Sequence, residues 1–285
     1  MRKRRHPDWL KVPLAGGSTT RSVQKLLRSS HLHTICEEAK CPNRGECFGR
    51  GTATFLILGP VCTRNCRYCH VAHGSPLPVD SKEPTNIADS VHHLGLNYVV
   101  LTSVTRDDLP DYGASQFRST IEEIRKKNPY CKIEILIPDF QGSSSSLDTV
   151  LSAQPNVLNH NIEVVESLFP LMRPDGNYHR SLSVLSLSKK CYPSIPTKSG
   201  FMIGLGESWD EILVVMDDLI KANVDFLTIG QYLQPTVDHA HIKKYYTPDE
   251  FKLLEHYAKE IGFSFVASGP LVRSSYKAEQ ALSRT

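Results

Sequence analysis

Apolar residues recur along this chain in short blocks separated by longer amphipathic stretches. The blocks Phe55–Leu58, Tyr98–Thr102, Lys132–Ile137, Val157–Asn161, Lys198–Ile203 and Phe226–Ile229 read as β-strands, with Phe263–Ala267 as a seventh candidate. The intervening stretches carry helix signals. Ser208-Trp209-Asp210-Glu211 is a capping-box pattern ahead of Leu213, Met216 and Leu219–Ile220. Thr247-Pro248-Asp249-Glu250 is another, with Pro at the first helical position and Gly262 as the stop. Repeated strand–helix units with apolar strands predict a parallel sheet covered by helices. The expected fold is therefore α/β, a partial (βα)6 barrel of TIM type.

This rhythm divides the chain into a barrel over residues 53–268, an N-terminal extension over 1–52 and a short C-terminal segment over 269–285. The extension contains one amphipathic helix, capped at Thr19 or Thr20, whose Val23, Leu26 and Leu27 are expected to pack on the barrel. Polar motifs fall just after the strands: Thr102-Ser103, Pro138-Asp139, His160-Asn161, Gly204–Glu207 and Gln231–Gln234. A parallel barrel gathers its chemistry at the carboxyl ends of its strands, so these segments are expected to meet at one mouth. Ser143–Ser146 reads as a low-complexity loop.

Composition narrows the possibilities. With 33 Lys+Arg against 30 Asp+Glu, the net charge of +3 lacks the basic excess of a nucleic-acid protein. No apolar run approaches the length of a membrane span, and the basic start Met1–His6 lacks the apolar stretch of a secretory leader. The expected location is the cytoplasm, with neither nucleic acid nor membrane as partner. Eight cysteines add a chemical signal, because six of them fall between residues 36 and 69 as two groups of three. In a reducing compartment such groups bind metal more often than they cross-link.

Cys62-Thr-Arg-Asn-Cys66-Arg-Tyr-Cys69 follows the first predicted barrel strand with spacing C-x3-C-x2-C. Thiolates so spaced suit an iron–sulfur cluster with one open iron, or zinc if His70 or His73 supplies a fourth ligand. The triplet, with Tyr68 before its last cysteine, resembles the signature of the radical S-adenosylmethionine (SAM) superfamily. That resemblance implies a 4Fe–4S cluster on Cys62, Cys66 and Cys69 whose fourth iron binds SAM. It implies SAM contacts at Tyr68, at Thr102 and Ser103, and at Asn161 and Glu163. Gly200–Glu207 resembles an adenine-contacting segment, with Met202 in the usual Ile place and Gly204 and Glu207 matching the pattern.

Cys36-Glu-Glu-Ala-Lys-Cys41-Pro-Asn-Arg-Gly-Glu-Cys47 has spacing C-x4-C-x5-C and lies outside the barrel. Together with Arg173-Pro174, Asn159-His160-Asn161, Gly230–Pro235 and Arg273-Ser-Ser-Tyr276, it resembles the lipoyl synthase family over nearly the whole chain. The resemblance implies an auxiliary 4Fe–4S cluster on Cys36, Cys41, Cys47 and a serine oxygen, placed at Ser275 with Ser274 as the alternative. His70 departs from the Asp expected there in many members. Cys131 and Cys191 match no ligand motif and are expected to be buried structural thiols.

The activity implied is insertion of two sulfur atoms, at C6 and C8, into an octanoyl chain on a carrier lysine. Two SAM molecules each generate a deoxyadenosyl radical, and the auxiliary cluster is sacrificed as the sulfur source. An unactivated C–H bond has no accessible acidity, so a cofactor must carry that step. Implied partners are octanoylated lipoyl-carrier domains or the H protein, and a reducing system such as ferredoxin or flavodoxin; the chain is expected to be a monomer. Met202 and Leu205 are candidates for an acyl channel or for ordinary core, and Arg173 and Arg106 for substrate anchors or ordinary salt bridges. The competing readings are a biotin-synthase-like or methylthiolating enzyme and a zinc-stabilised binding module.

Overall fold

A computed structural model describes residues 7–11, 21, 24–27, 30, 32–49, 54–276 and 278–282. Thr19, Thr20 and Val23 lie outside them; Leu27 is buried in the main core. Ten strands are present among the described residues: β1 His33–Thr34, β2 Thr54–Ile57, β3 Val61–Cys62, β4 Ala72–His73, β5 Tyr98–Ser103, β6 Lys132–Leu136, β7 Val157–Asn159, β8 Thr197–Ile203, β9 Phe226–Gln231 and β10 Phe265–Gly269. Strands β2 and β5–β10 are those predicted, within a few residues at each end. They pair in parallel in chain order. Most of their apolar side chains are buried on both faces because helices cover the outside, with β10 at the edge only half-buried. The seventh strand lengthens the curled sheet beyond six, with Phe265 opposite Phe226 and Gly269 opposite Gly230.

The sheet is open, and its two edges are β1 and β10. β1 belongs to the N-terminal extension and pairs antiparallel with β2, which brings the helix Ile35–Glu38 to the barrel. The segment after β10 returns against the same extension. Asn43 Nδ2 donates to the Leu271 carbonyl at 2.7 Å, and the Tyr276 hydroxyl donates to Glu46 at 3.0 Å. Gly230 makes room for this passage, since a Cβ there would lie 2.2 Å from the Val272 carbonyl oxygen.

Both capping boxes form as read, at Ser208 with Glu211 and at Thr247 with Glu250. Ser143–Ser146 is a different matter. Ser143 caps the helix Ser144–Leu151 by accepting from the Ser146 N–H, so the serine run starts a helix, not a loop. None of the described helices is long and apolar enough to cross a membrane.

Candidate active site at the strand ends

The loop after β2 carries Cys62, Cys66 and Cys69. The short parallel pair β3–β4 brackets it, with Cys62 opposite His73. The Thr105 and Arg64 amides reach Cys62 Sγ at 3.3 and 3.4 Å. Arg64, between the cysteines, anchors the loop to the sheet. Its guanidinium makes paired hydrogen bonds to Asp107 (2.7 and 2.9 Å) and to Asp139 (3.1 and 2.7 Å). Arg180 holds Asp139 from the other side. Burial works against the Asp139 charge, yet the facing Arg64 keeps its carboxyl well below the usual range. Asp139 is among the strand-end motifs expected at the mouth; Arg64 is not, and a cation inside the cysteine motif is its available signal.

Above this loop lies a cavity of about 460 Å³ walled by Cys62, Cys66, Cys69, Tyr68, Thr102 and Ser103, and across it by Asn161, Glu163, Arg173 and Met202. Strand ends and turns thus bring together nine of the residues read from the SAM resemblance. The mouth holds buried polar atoms without a partner among the described residues: Ser103 Oγ, His160 Nε2, Asn161 Oδ1 and Arg173 Nε. Buried polar groups are normally satisfied, so this set fits a polar, zwitterionic ligand such as SAM. Gly200 keeps the wall open there; a Cβ would meet Thr228 Oγ1 at 2.2 Å and Asn161 Oδ1 at 3.2 Å.

Burial alone would lower the Arg173 pKa, but Tyr68, Glu163 and Cys66 around it hold it up. Glu163 is raised by burial, against the nearby Arg173. Its φ of 71° is strained for a side-chain-bearing residue and is fixed by pairing with Phe201. Arg173 also donates to the Asn161 and Ile162 carbonyls and stacks over Phe169 at 5.2 Å.

Gly204 and Glu207 stand apart from this wall. The Glu207 carboxylate accepts the amides of Gly204, Leu205 and Gly206 at 2.5, 2.9 and 3.1 Å, which stabilises the turn after β8. Leu205 is core. Arg106 is engaged by Asp108 through two bonds of 2.8 Å, an ordinary salt bridge between a buried guanidinium and an exposed carboxylate.

The first cysteine triplet meets the same region from the side. Cys36 and Cys41 line the cavity just described, and with Cys47 and Ser275 they also line a second one of about 410 Å³. The wall common to both contains Cys36, Cys41, Arg273 and Ser275. Ser274 faces the first cavity only, where its hydroxyl accepts from Asn161 Nδ2 at 2.6 Å. Burial, reinforced by Cys41 and Cys47, pushes the Cys36 thiol up to about 12, against hydrogen bonding with Thr54. Burial likewise takes Cys69 to about 12, with Cys66 and Cys62 adding to it. Thiols crowded in this way lose their protons to a metal rather than to water.

No three His, Cys, Asp or Glu side chains among the described residues close on one point as a single zinc ion requires. Ligands of a four-iron cluster each take a different iron, so they need not. His73 is exposed and His70 is engaged elsewhere. Cys131 is buried as expected, whereas Cys191, at the end of the helix Tyr178–Cys191, is exposed. That last turn projects its cysteine away from the sheet.

Comparison with known proteins agrees with this geometry. The family model for the Radical SAM superfamily matches residues 56–219. A lipoyl synthase of Shouchella clausii is 51% identical over 281 residues, covering 98% of this chain and 91% of the relative. Lipoyl synthases of Coxiella burnetii and Caldicellulosiruptor bescii are each 52% identical, over 96% of this chain and 88% and 94% of theirs. Among solved structures, the Streptococcus suis protein SuiB bound to S-adenosylmethionine superposes with a TM-score of 0.58 at 13% identity, covering 79% of this chain and 54% of that one. Methylornithine synthase (PylB) gives 0.55 at 12% identity over 92% and 81%. These two share the fold.

Proposed function

The chain belongs to the lipoyl synthase family of the radical SAM superfamily, and we propose that it inserts two sulfur atoms, at C6 and C8, into an octanoyl chain borne on a lysine of a lipoyl-carrier domain or H protein. The observation that carries the site assignment is the common wall, where Cys36, Cys41 and Ser275 stand between the two cavities. When bound, one 4Fe–4S cluster with SAM supplies hydrogen abstraction, and a second cluster supplies the sulfur.

This chain's residues hold and orient those groups. Cys62, Cys66 and Cys69 would hold the first cluster, and Arg64 keeps their loop against the sheet. Arg173 and Asn161 present unpartnered buried polar atoms to the zwitterionic end of SAM, and Ser103 and His160 offer more. Cys36, Cys41, Cys47 and Ser275 would hold the second cluster. Ser275 is preferred to Ser274 because only Ser275 also lines the cavity of Cys47. A serine oxygen is a harder ligand than thiolate, which suits an iron that must leave. Met202 lines the first cavity, where it would border the acyl chain. The apolar walls exclude water and stray hydrogen donors from the reacting carbon.

By family membership we infer a cytoplasmic setting and a ferredoxin- or flavodoxin-like reductant. Mass spectrometry of an octanoylated carrier-domain peptide, incubated with the anaerobically reconstituted protein, SAM and reductant, tests the proposal. A gain of two sulfurs is expected; a product that never carries more than one refutes it.

A further inference from the structure

A sulfur source on one loop reaches a carbon activated beside another loop only if the two loops are held in register. Two stacked histidines tie them. His70 directly follows Cys69, and its Nδ1 lies 2.8 Å from the carbonyl oxygen of Glu38, a residue between Cys36 and Cys41. A carbonyl only accepts, so Nδ1 carries the proton and donates. The His239 ring stacks on His70 with centroids 5.7 Å apart and planes inclined by 25°. His239 reaches back to the radical-cluster loop, its Nε2 donating to the Cys69 carbonyl at 3.0 Å. Its Nδ1 is then the acceptor for the Thr236 hydroxyl at 2.8 Å. On the far side, His33 Nδ1 contacts the Glu38 carboxylate at 3.2 Å.

We propose that His70 is a positioning residue: by donating to the Glu38 carbonyl it holds the auxiliary-cysteine loop against the radical-cysteine loop, and so sets how far the sulfur source stands from the site of hydrogen abstraction. This rests on the reading of the two triplets given above. A small misplacement of reacting groups is costly in rate. When the sulfur stands too far away, the carbon radical is quenched before it is captured, and SAM is consumed without product. A phenylalanine keeps the ring and lacks the donor, whereas a glutamine amide keeps a donor.

The test compares the wild-type protein with H70F and H70Q, each loaded with both clusters and supplied with SAM, reductant and octanoylated carrier peptide. Deoxyadenosine and inserted sulfur are counted. Wild type should form about one deoxyadenosine per sulfur, as one SAM per C–S bond requires. H70F should raise that ratio about threefold or more while SAM cleavage continues, and H70Q should return it to within about twofold of wild type, the scale of one ordinary hydrogen bond. Pulsed dipolar EPR between the two reduced clusters reads their separation without turnover; H70F should broaden the distance distribution and H70Q should restore it. An unchanged ratio and distribution in H70F, with iron content intact, overturns the proposal, as does H70Q behaving like H70F. If H70F does not retain both clusters, H70L takes its place, lacking the donor in a smaller side chain, and is judged by the same outcomes. A wild-type protein that inserts no sulfur refutes the reading of the triplets instead, before any variant is compared.

Discussion

His160 donates from Nδ1 to the Ile137 carbonyl at 2.9 Å and is almost fully enclosed. Burial, reinforced by the charge of Arg173, lowers its pKa from 6.5 to about 4. Between those values the unfolded chain binds a proton that the folded chain refuses. Its contribution to stability is therefore complete above about pH 6.5 and is lost as the pH falls toward 4, to an extent of about 3 kcal/mol. Denaturant unfolding at pH 7 and pH 5 should show the loss in the wild type and a smaller one in H160Q; equal losses would assign the acid lability to another group. On the proposed assignment the two cysteine triplets have separate tasks. Cys62→Ala should abolish SAM cleavage, whereas Cys36→Ala and Ser275→Ala should retain cleavage and lose sulfur insertion. Identical phenotypes, scored by deoxyadenosine and thiolated product, would contradict the two-cluster assignment. The spacing of these cysteines was legible in the chain. The state of His160 was not, because its shift comes from what packs around it.

Among the elements, the strands and capped helices could be read because apolar blocks and cap residues are local signals. The charges inside the sheet could not. Lys198 on β8 and Glu134 on β6 are both almost fully buried and paired at 2.9 and 3.2 Å, with Tyr98 and Asn159 completing the carboxylate at 2.6 and 3.0 Å. Each sits in a strand that reads as apolar. Lys198→Met should cost about 3–5 kcal/mol in urea unfolding, because it strands a buried carboxylate. A cost below about 1 kcal/mol would mean that Glu134 takes up a proton without penalty. The serine run at 143–146 illustrates the reverse error, since a polar cluster counted as loop is also the best available helix cap.

At the level of the whole molecule, the two ends of the chain clasp each other beside the open edge of the sheet. Asn43 is buried and bonds Leu271, while Glu46 meets Tyr276. Through this clasp Ser275 reaches the first cysteine triplet. Reconstituted wild-type protein should bind about eight irons, and Asn43→Ala should fall toward about four with SAM cleavage retained, because it loosens only the auxiliary set. Iron analysis that gives about eight for both proteins would show that the clasp is dispensable.

Which ligand types are present, how they are spaced and how strands alternate with helices were all written in the chain, since these follow from neighbours a few positions away. The shared wall of the two cavities, the Arg64–Asp139 anchor and the His70–Glu38 tie were not. They join residues far apart along the chain, and burial and hydrogen-bond geometry at such contacts exist only once the sheet has curled and its two ends have met beside the open edge.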